Sequence, residues 1–227
     1  MPEPGEQPSA YRLTFHIVPL MRVAIFDLDG TISDPSEGIT AGINHALSMM
    51  GLPWIDPREL LMFIGPPLTE IFQELAPGRR EEGTALFREY YRERGFSENV
   101  LYPGIREALE NLRSSGTILC IATGKKPETA VDVLEMFRLR ELFHEITGCG
   151  HGGTKAELIS GLLARYGDNT VMIGDRKFDF EAATCCGIPS AGAAWGFGTR
   201  RELELATMVV DSPWDLPGAV DLLLEGI

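Results

Sequence analysis

The stretch Arg22-Val23-Ala24-Ile25-Phe26-Asp27-Leu28-Asp29-Gly30-Thr31 decides how the rest of the chain is read. Four consecutive apolar residues, Val23 to Phe26, run straight into two aspartates and a glycine. An apolar run without polar alternation fits a strand buried on both faces, as in a parallel sheet. Asp27 and Asp29 then stand at the strand's carboxyl end, where open α/β sheets gather their ligands. Two carboxylates cost free energy in such a place unless something offsets their charge. Asp-Gly is also a common turn pair, so the segment alone leaves a turn and a reactive site equally open.

Outward from this strand the same character recurs. Ile118–Ala122 and Val171–Ile173 are further apolar runs, and Ser190–Ala194 and Met208–Val210 are weaker strand candidates. Between them, Ala130, Val133, Leu134 and Phe137 fall at helical spacing, and Leu158, Leu162, Leu163 and Tyr166 form a similar stripe. Strands alternating with amphipathic helices predict an α/β fold built on a doubly wound parallel sheet. One region breaks the alternation. From Glu37 to Asn99 no strand is evident, and helices are expected over Glu37–Met50, Leu68–Leu75 and Arg79–Arg94, with Gly65-Pro66-Pro67 as a break. The expected division is a flexible tail over 1–20, an α/β core from 21–34 and 101–227, and an inserted all-helical cap over 35–100. The two crossings, near Ser33–Glu37 and Val100–Gly104, are expected hinges.

Composition narrows the function classes. The chain has 227 residues, 44% hydrophobic and 23% charged, an ordinary globular balance with enough length for a full core. Its 20 basic against 33 acidic residues give a net charge of −13. So acidic a surface repels phosphate backbones, which argues against nucleic acid as a partner. No apolar run approaches the roughly 18 residues of a membrane helix. Met1–Ala10, with Glu3, Glu6 and three prolines, does not read as a secretion signal. Cys120, Cys149, Cys185 and Cys186 lack metal-ligand spacing, and the adjacent pair is expected to be small core residues on a helix. A reduced, cytoplasmic protein is the expectation, and a monomer, since the core helices offer no exposed apolar stripe.

Three more segments bring polar groups to the same sheet edge. Thr123-Gly124 follows the second strand, Lys155 opens a helix after the glycine-rich stretch 148–153, and Gly174-Asp175 follows the Val171–Ile173 strand with Asp179 one helical turn on. Such groups suit a phosphate or a divalent metal. His151 in the glycine-rich stretch has no second His or Cys at zinc spacing. Arg176 and Lys177 read equally as a source of positive potential or as solvated charges.

These four segments, in this order, resemble the signature of the haloacid dehalogenase superfamily: Asp-x-Asp-x-Thr, a Thr or Ser after the second strand, a lone Lys, and Gly-Asp-x-x-x-Asp. The resemblance runs from Val23 to the C-terminus and includes the helical insert. It implies Asp27 as a nucleophile that forms an aspartyl-phosphate, and Asp29 as general acid–base. It implies Mg²⁺ held by the Asp27 carboxylate, the Asp29 backbone carbonyl and Asp175. Thr123 and Lys155 would bind the transferring phosphoryl oxygens, with the Leu28 and Gly124 amides aiding charge stabilisation. Asp179 would orient Lys155 or support the metal through water.

Asp29 sets the chain with the superfamily's phosphatases and phosphomutases, since its dehalogenases lack that residue, and Thr31 is more like the phosphatases. Phe63-Ile64-Gly65-Pro66-Pro67-Leu68, Gly174-Asp175-Arg176-Lys177 and Trp195-Gly196-Phe197-Gly198-Thr199 resemble the phosphoglycolate phosphatase and 5′-nucleotidase-like branch. The implied activity is Mg²⁺-dependent hydrolysis of a small phosphorylated metabolite, phosphoglycolate or a nucleoside 5′-monophosphate. Two alternatives share the site: a phosphomutase, and a non-enzymatic Mg²⁺-binding phosphoacceptor. Phe178 stands where close relatives often have His, and stretch 148–153 lacks an acidic residue, which leaves the substrate open.

Overall fold

Val23 and Ile25 point to one side of a sheet and Ala24 and Phe26 to the other, and each side packs into a separate buried apolar cluster. That two-sided burial is why the segment is apolar at every position. The computed structural model describes residues 21–149 and 153–226. The tail expected over 1–20 and His151 lie outside them.

The chain enters β1 (Val23–Phe26) and, after a loop, a two-residue strand β2 (Ser33–Asp34). Helices α1 (Ser36–Met49), α2 (Pro57–Leu60), α3 (Leu68–Leu75) and α4 (Arg80–Glu93) follow without an intervening strand. β3 (Val100–Leu101) then pairs antiparallel with β2, Ser33 opposite Leu101. This small ribbon occupies the two crossings between the helical region and the rest. Beyond it come α5 (Ile105–Ser114), β4 (Ile118–Thr123), α6 (Pro127–Met136), β5 (Glu145–Gly148) and α7 (Lys155–Tyr166). The chain closes with β6 (Thr170–Gly174), α8 (Lys177–Cys185), β7 (Ser190–Ala193), α9 (Arg200–Leu203), β8 (Met208–Val210) and α10 (Leu216–Glu225).

Six strands form one parallel sheet in the order β5-β4-β1-β6-β7-β8. The fold is therefore the doubly wound α/β core expected from the sequence, with a helical cap. Chain order reverses around β1, because β4 lies on one side and β6 on the other, with Phe26 opposite both Ile121 and Ile173. That is the topological switch point, and a crevice opens there at the carboxyl ends of the strands. The helical region has its own apolar cluster, including Ile43, Leu47, Ile71, Phe72, Phe87 and Tyr91. Among the described residues no helix is long and apolar enough to cross a membrane.

Several features differ from the sequence reading, among them the β2–β3 ribbon and the one-turn helix α2, neither of which was expected. β5 was not expected: Glu145-Ile146-Thr147-Gly148 is short, half-buried and at the sheet edge, so it carries little apolar signal. Cys185 and Cys186 are not core residues. The buried positions of α8 are Asp179, Phe180, Ala182 and Ala183, which turns Cys185 to solvent and leaves Cys186 half-buried.

Candidate active site

The site is assembled at the ends of β1, β4 and β6. After β1 the chain turns tightly, the Leu28 carbonyl accepting from the N–H groups of Thr31, Ile32 and Ser33. This turn holds Asp27 and Asp29 close to one another at the crevice. After β4, the Thr123 hydroxyl accepts from the Lys125 N–H at 3.3 Å, which curls Gly124 and Lys125 over the strand end. Among the described residues neither the Leu28 nor the Gly124 N–H has a partner, leaving both free for an incoming oxygen.

Lys155 is placed by a capping box. Thr154 accepts from the Glu157 N–H at 3.2 Å, and Glu157 accepts from the Thr154 N–H at 2.7 Å, fixing the first turn of α7. From that turn the Lys155 ammonium reaches Asp27 at 3.0 Å and also pairs with Asp179. Burial works against its charge, but the Asp179 and Asp27 carboxylates outweigh it and raise its pKa. The same side chain thus neutralises part of two aspartates at once.

Asp175 sits in a cradle of close backbone. A side chain at Gly30 or Gly196 would overlap its carboxylate, and Gly30 also has a positive φ of 80° that glycine alone adopts cheaply. Asp175 accepts from the Thr31 hydroxyl at 3.1 Å and from the Phe197 N–H at 2.8 Å. Burial raises its pKa well above the ordinary range, aided by the charges of Asp179 and Asp27. Asp179 likewise is fully buried and shifted upward by burial, partly offset by Lys155. Its other oxygen accepts from the Arg176 N–H at 3.0 Å, which anchors the start of α8.

Asp27, Asp175 and Asp179 can each offer a carboxylate oxygen within 4.8 Å of one another. Oδ1 of Asp27 is buried with no partner among the described residues. Three converging oxygens, one of them unpaired, fit a hard divalent cation such as Mg²⁺. Asp179 is already engaged by Lys155 and the Arg176 amide, as Asp175 is by the Thr31 hydroxyl and the Phe197 amide.

Asp29 has a different neighbour. Lys125 pairs with it at 2.9 Å. Burial raises the Asp29 pKa, against the pull of Lys125 and with help from the Asp27 charge. Lys125 also donates to the Tyr91 hydroxyl of α4 at 3.1 Å, so a cap residue reaches into the crevice. Neither Lys125 nor Tyr91 was picked out from the sequence. Lys125 lies two residues after Thr123, and asking which cation could balance Asp29 at that sheet edge would have found it. Tyr91 carries no such signal, since only the fold brings α4 there.

The structure brings together Asp27, Asp29, Thr123, Gly124, Lys155, Asp175 and Asp179. Arg176 is not the solvated charge that was one of its two expected readings: it is buried, and its guanidinium bonds to the Ile64 and Met62 carbonyls and to Glu202. Lys177 is exposed. Trp195 donates its indole N–H to the Thr31 carbonyl at 3.0 Å, an anchor for the first loop. A cleft of about 630 Å³ between α1 and the Trp54–Leu61 segment contains none of these groups.

Residues 24–193 match the haloacid dehalogenase-like hydrolase family. A 5′-nucleotidase from Pseudomonas aeruginosa is 38% identical over 79% of this chain and 86% of its own. Tyrosine-protein kinase PtkA of Mycobacterium tuberculosis is 33% identical over 83% of this chain and 67% of that protein. Phosphoglycolate phosphatases match as well. Among solved structures, a haloacid dehalogenase-like family hydrolase from Streptococcus pneumoniae superposes with a TM-score of 0.83 at 30% identity, covering 88% of this chain and 98% of that one.

Proposed function

The chain belongs to the haloacid dehalogenase-like hydrolases, and from that premise we propose that it cleaves a small phosphomonoester by way of a phosphoryl group carried on Asp27. The observation that carries this reading is the unequal surroundings of two neighbouring aspartates. Asp27 is paired with Lys155 and lines the cation site, while Asp29 lies outside the cation's carboxylate cluster, is raised by burial and is paired with Lys125. Carboxylates held in different environments divide into a nucleophile and an acid–base.

In the first step an Asp27 oxygen forms a bond to phosphorus as the ester P–O bond breaks. The electron pair goes to the ester oxygen, which takes a proton from Asp29 and leaves as the alcohol. In the second step Asp29 takes a proton from water. The water oxygen bonds to phosphorus, the P–O bond to Asp27 breaks, and inorganic phosphate is released with Asp27 restored. Lys155, the Thr123 hydroxyl and the Leu28 and Gly124 amides bind the phosphoryl oxygens and balance the charge that develops on them. The Asp27 and Asp175 carboxylates and the Asp29 carbonyl would hold a Mg²⁺ ion, which would supply the charge that lets an anionic ester approach a carboxylate. Asp179 keeps Lys155 in place.

The proposed division keeps 35–100 as the cap and 21–34 with 101–227 as the core. The substrate classes are phosphoglycolate and nucleoside 5′-monophosphates, in keeping with the relatives so named. The test is phosphate release from a panel of these, sugar phosphates and pyrophosphate, with Mg²⁺ and with EDTA. Release from one class that EDTA abolishes is expected. An isomerised sugar phosphate without free phosphate would favour a mutase, and no release from any ester would overturn the reading.

A further inference from the structure

Three side chains from three parts of the fold meet in a line: Tyr91 of α4 in the cap, Lys125 after β4, and Asp29 after β1. Lys125 Nζ lies 3.1 Å from the Tyr91 hydroxyl and 2.9 Å from Asp29 Oδ2. The Tyr91 hydroxyl is not a loose surface group. The residue is 6% exposed, and its ring stacks on Phe87, with centroids 5.6 Å apart and planes 15° from parallel. The ammonium is also 4.6 Å from the Tyr91 ring centroid. Below, the Lys125 backbone is tied to the Thr123 hydroxyl. Both ends of the Lys125 side chain are therefore held.

Asp29 has one oxygen on Lys125. Its other oxygen, Oδ1, is buried and has no partner among the described residues. A carboxyl pinned through one oxygen presents the other in a fixed direction, and an acid–base group works only within about 2.6–3.2 Å of the atom it serves.

We infer that Lys125 is a positioning residue for Asp29, steadied by Tyr91 of the cap, so that the proton reaches the ester oxygen most readily while this bridge is made. The inference rests on the phosphatase reading above and extends it to two residues that reading does not use. As the ester P–O bond breaks, the departing oxygen takes its proton from Asp29 Oδ1. Lys125 keeps its three protons throughout and acts through its hold on Oδ2. If the cap swings away, Tyr91 goes with it and Lys125 loses one of its two polar partners. A substrate bound under an open cap would then face a misdirected acid.

The experiment compares esters that need a proton on the leaving oxygen with one that does not. The Mg²⁺-loaded enzyme and its variants are assayed with an alkyl phosphate, phenyl phosphate and 2,4-dinitrophenyl phosphate. Lys125→Met is expected to lose about 100-fold in kcat on the alkyl ester and only a few-fold on the dinitrophenyl ester, with KM little changed. Lys125→Arg should regain part of the loss. Tyr91→Phe should lose several-fold with the same dependence on the leaving group, and add nothing in the Lys125→Met background. Equal losses on all three esters, a rise in KM with kcat intact, or additive effects of the two substitutions would overturn the inference. Should Lys125→Met fail to fold, Lys125→Arg and Tyr91→Phe carry the same comparison. Wild-type enzyme that releases no phosphate from any ester overturns the phosphatase reading itself. Wild-type turnover beside equal losses in the variants overturns this inference alone.

Discussion

Arg176 bonds to the main-chain carbonyl of Ile64, so the residue beside Asp175 in the core grips a loop of the cap by its backbone. The same guanidinium reaches the Met62 carbonyl at 3.4 Å and Glu202 at 3.2 Å. Gly65, with φ of 114°, packs against the Arg176 side chain, and its carbonyl faces Gly124 across the crevice. The Gly65-Pro66-Pro67 turn is thus held beside the crevice by contacts to Arg176. Charged hydrogen bonds of this kind contribute roughly 2 kcal/mol each. Arg176→Ala should speed hydrogen exchange across residues 61–68 and lower kcat/KM about tenfold. Arg176→Lys should restore little, because one ammonium cannot span three acceptors as a planar fork does. Unchanged exchange in Arg176→Ala would contradict the assignment.

Burial raises the pKa of Asp29, Asp175 and Asp179 above the ordinary 3.8. The folded state then binds more protons than the unfolded chain at pH values above 3.8, so these groups make stability fall as pH rises through that window. A divalent cation favours the ionised forms and should cancel the effect. In EDTA the melting temperature is expected to be higher near pH 5 than near pH 7.5, and the stabilisation given by Mg²⁺ should grow with pH over the same range. Mg²⁺ stabilisation that is independent of pH, measured by thermal melting, would contradict this.

Lys155 is the cation between Asp27 and Asp179, and removing one partner of a buried ion pair leaves charge unbalanced. Lys155→Met should cost roughly 3 kcal/mol in EDTA and less with saturating Mg²⁺. Phosphate release should fall by about 100-fold or more, since the proposed mechanism uses the same ammonium to bind the phosphoryl oxygens. Denaturant unfolding with and without Mg²⁺ reads the first effect. An equal stability loss in both conditions would show that Lys155 and the cation do not share these carboxylates.

Gly30 meets the Asp175 carboxylate where a β-carbon would have to stand. Gly30→Ala should displace Asp175 and weaken the apparent Mg²⁺ affinity by roughly tenfold, about 1.4 kcal/mol. A Mg²⁺ titration of phosphate release measures it. An unaltered midpoint would mean that Asp175 takes no part in holding the cation.

The core strands were legible because β1, β4 and β6 are apolar at nearly every position, and the polar residues at their ends follow at once in sequence. Helices α1, α3 and α4 were legible for the complementary reason, lying in a region with no β-type run, whereas the four-residue α2 was too short to show. β5 was not legible, because Glu145 and Thr147 at a half-buried edge look like any polar loop. Strand ends and a helix start placed Asp27, Thr123, Lys155 and Asp175 at one sheet edge, and the fold brings them together. Arg176 and Lys125 could be seen as charges but not as contacts, since their partners Ile64 and Tyr91 are more than 30 residues away across the cap. Long-range pairing of a charged side chain with a backbone carbonyl leaves no pattern in the sequence.

The proposed mechanism requires Asp27 to carry the phosphoryl group. The most direct measurement is rapid acid quench of the Mg²⁺-loaded enzyme during turnover of its best ester, followed by peptide mass spectrometry. A phosphoryl group on the peptide containing Asp27, absent in Asp27→Asn together with turnover, is the predicted result. Turnover that persists in Asp27→Asn, or a phosphoryl group found on another residue, would contradict it.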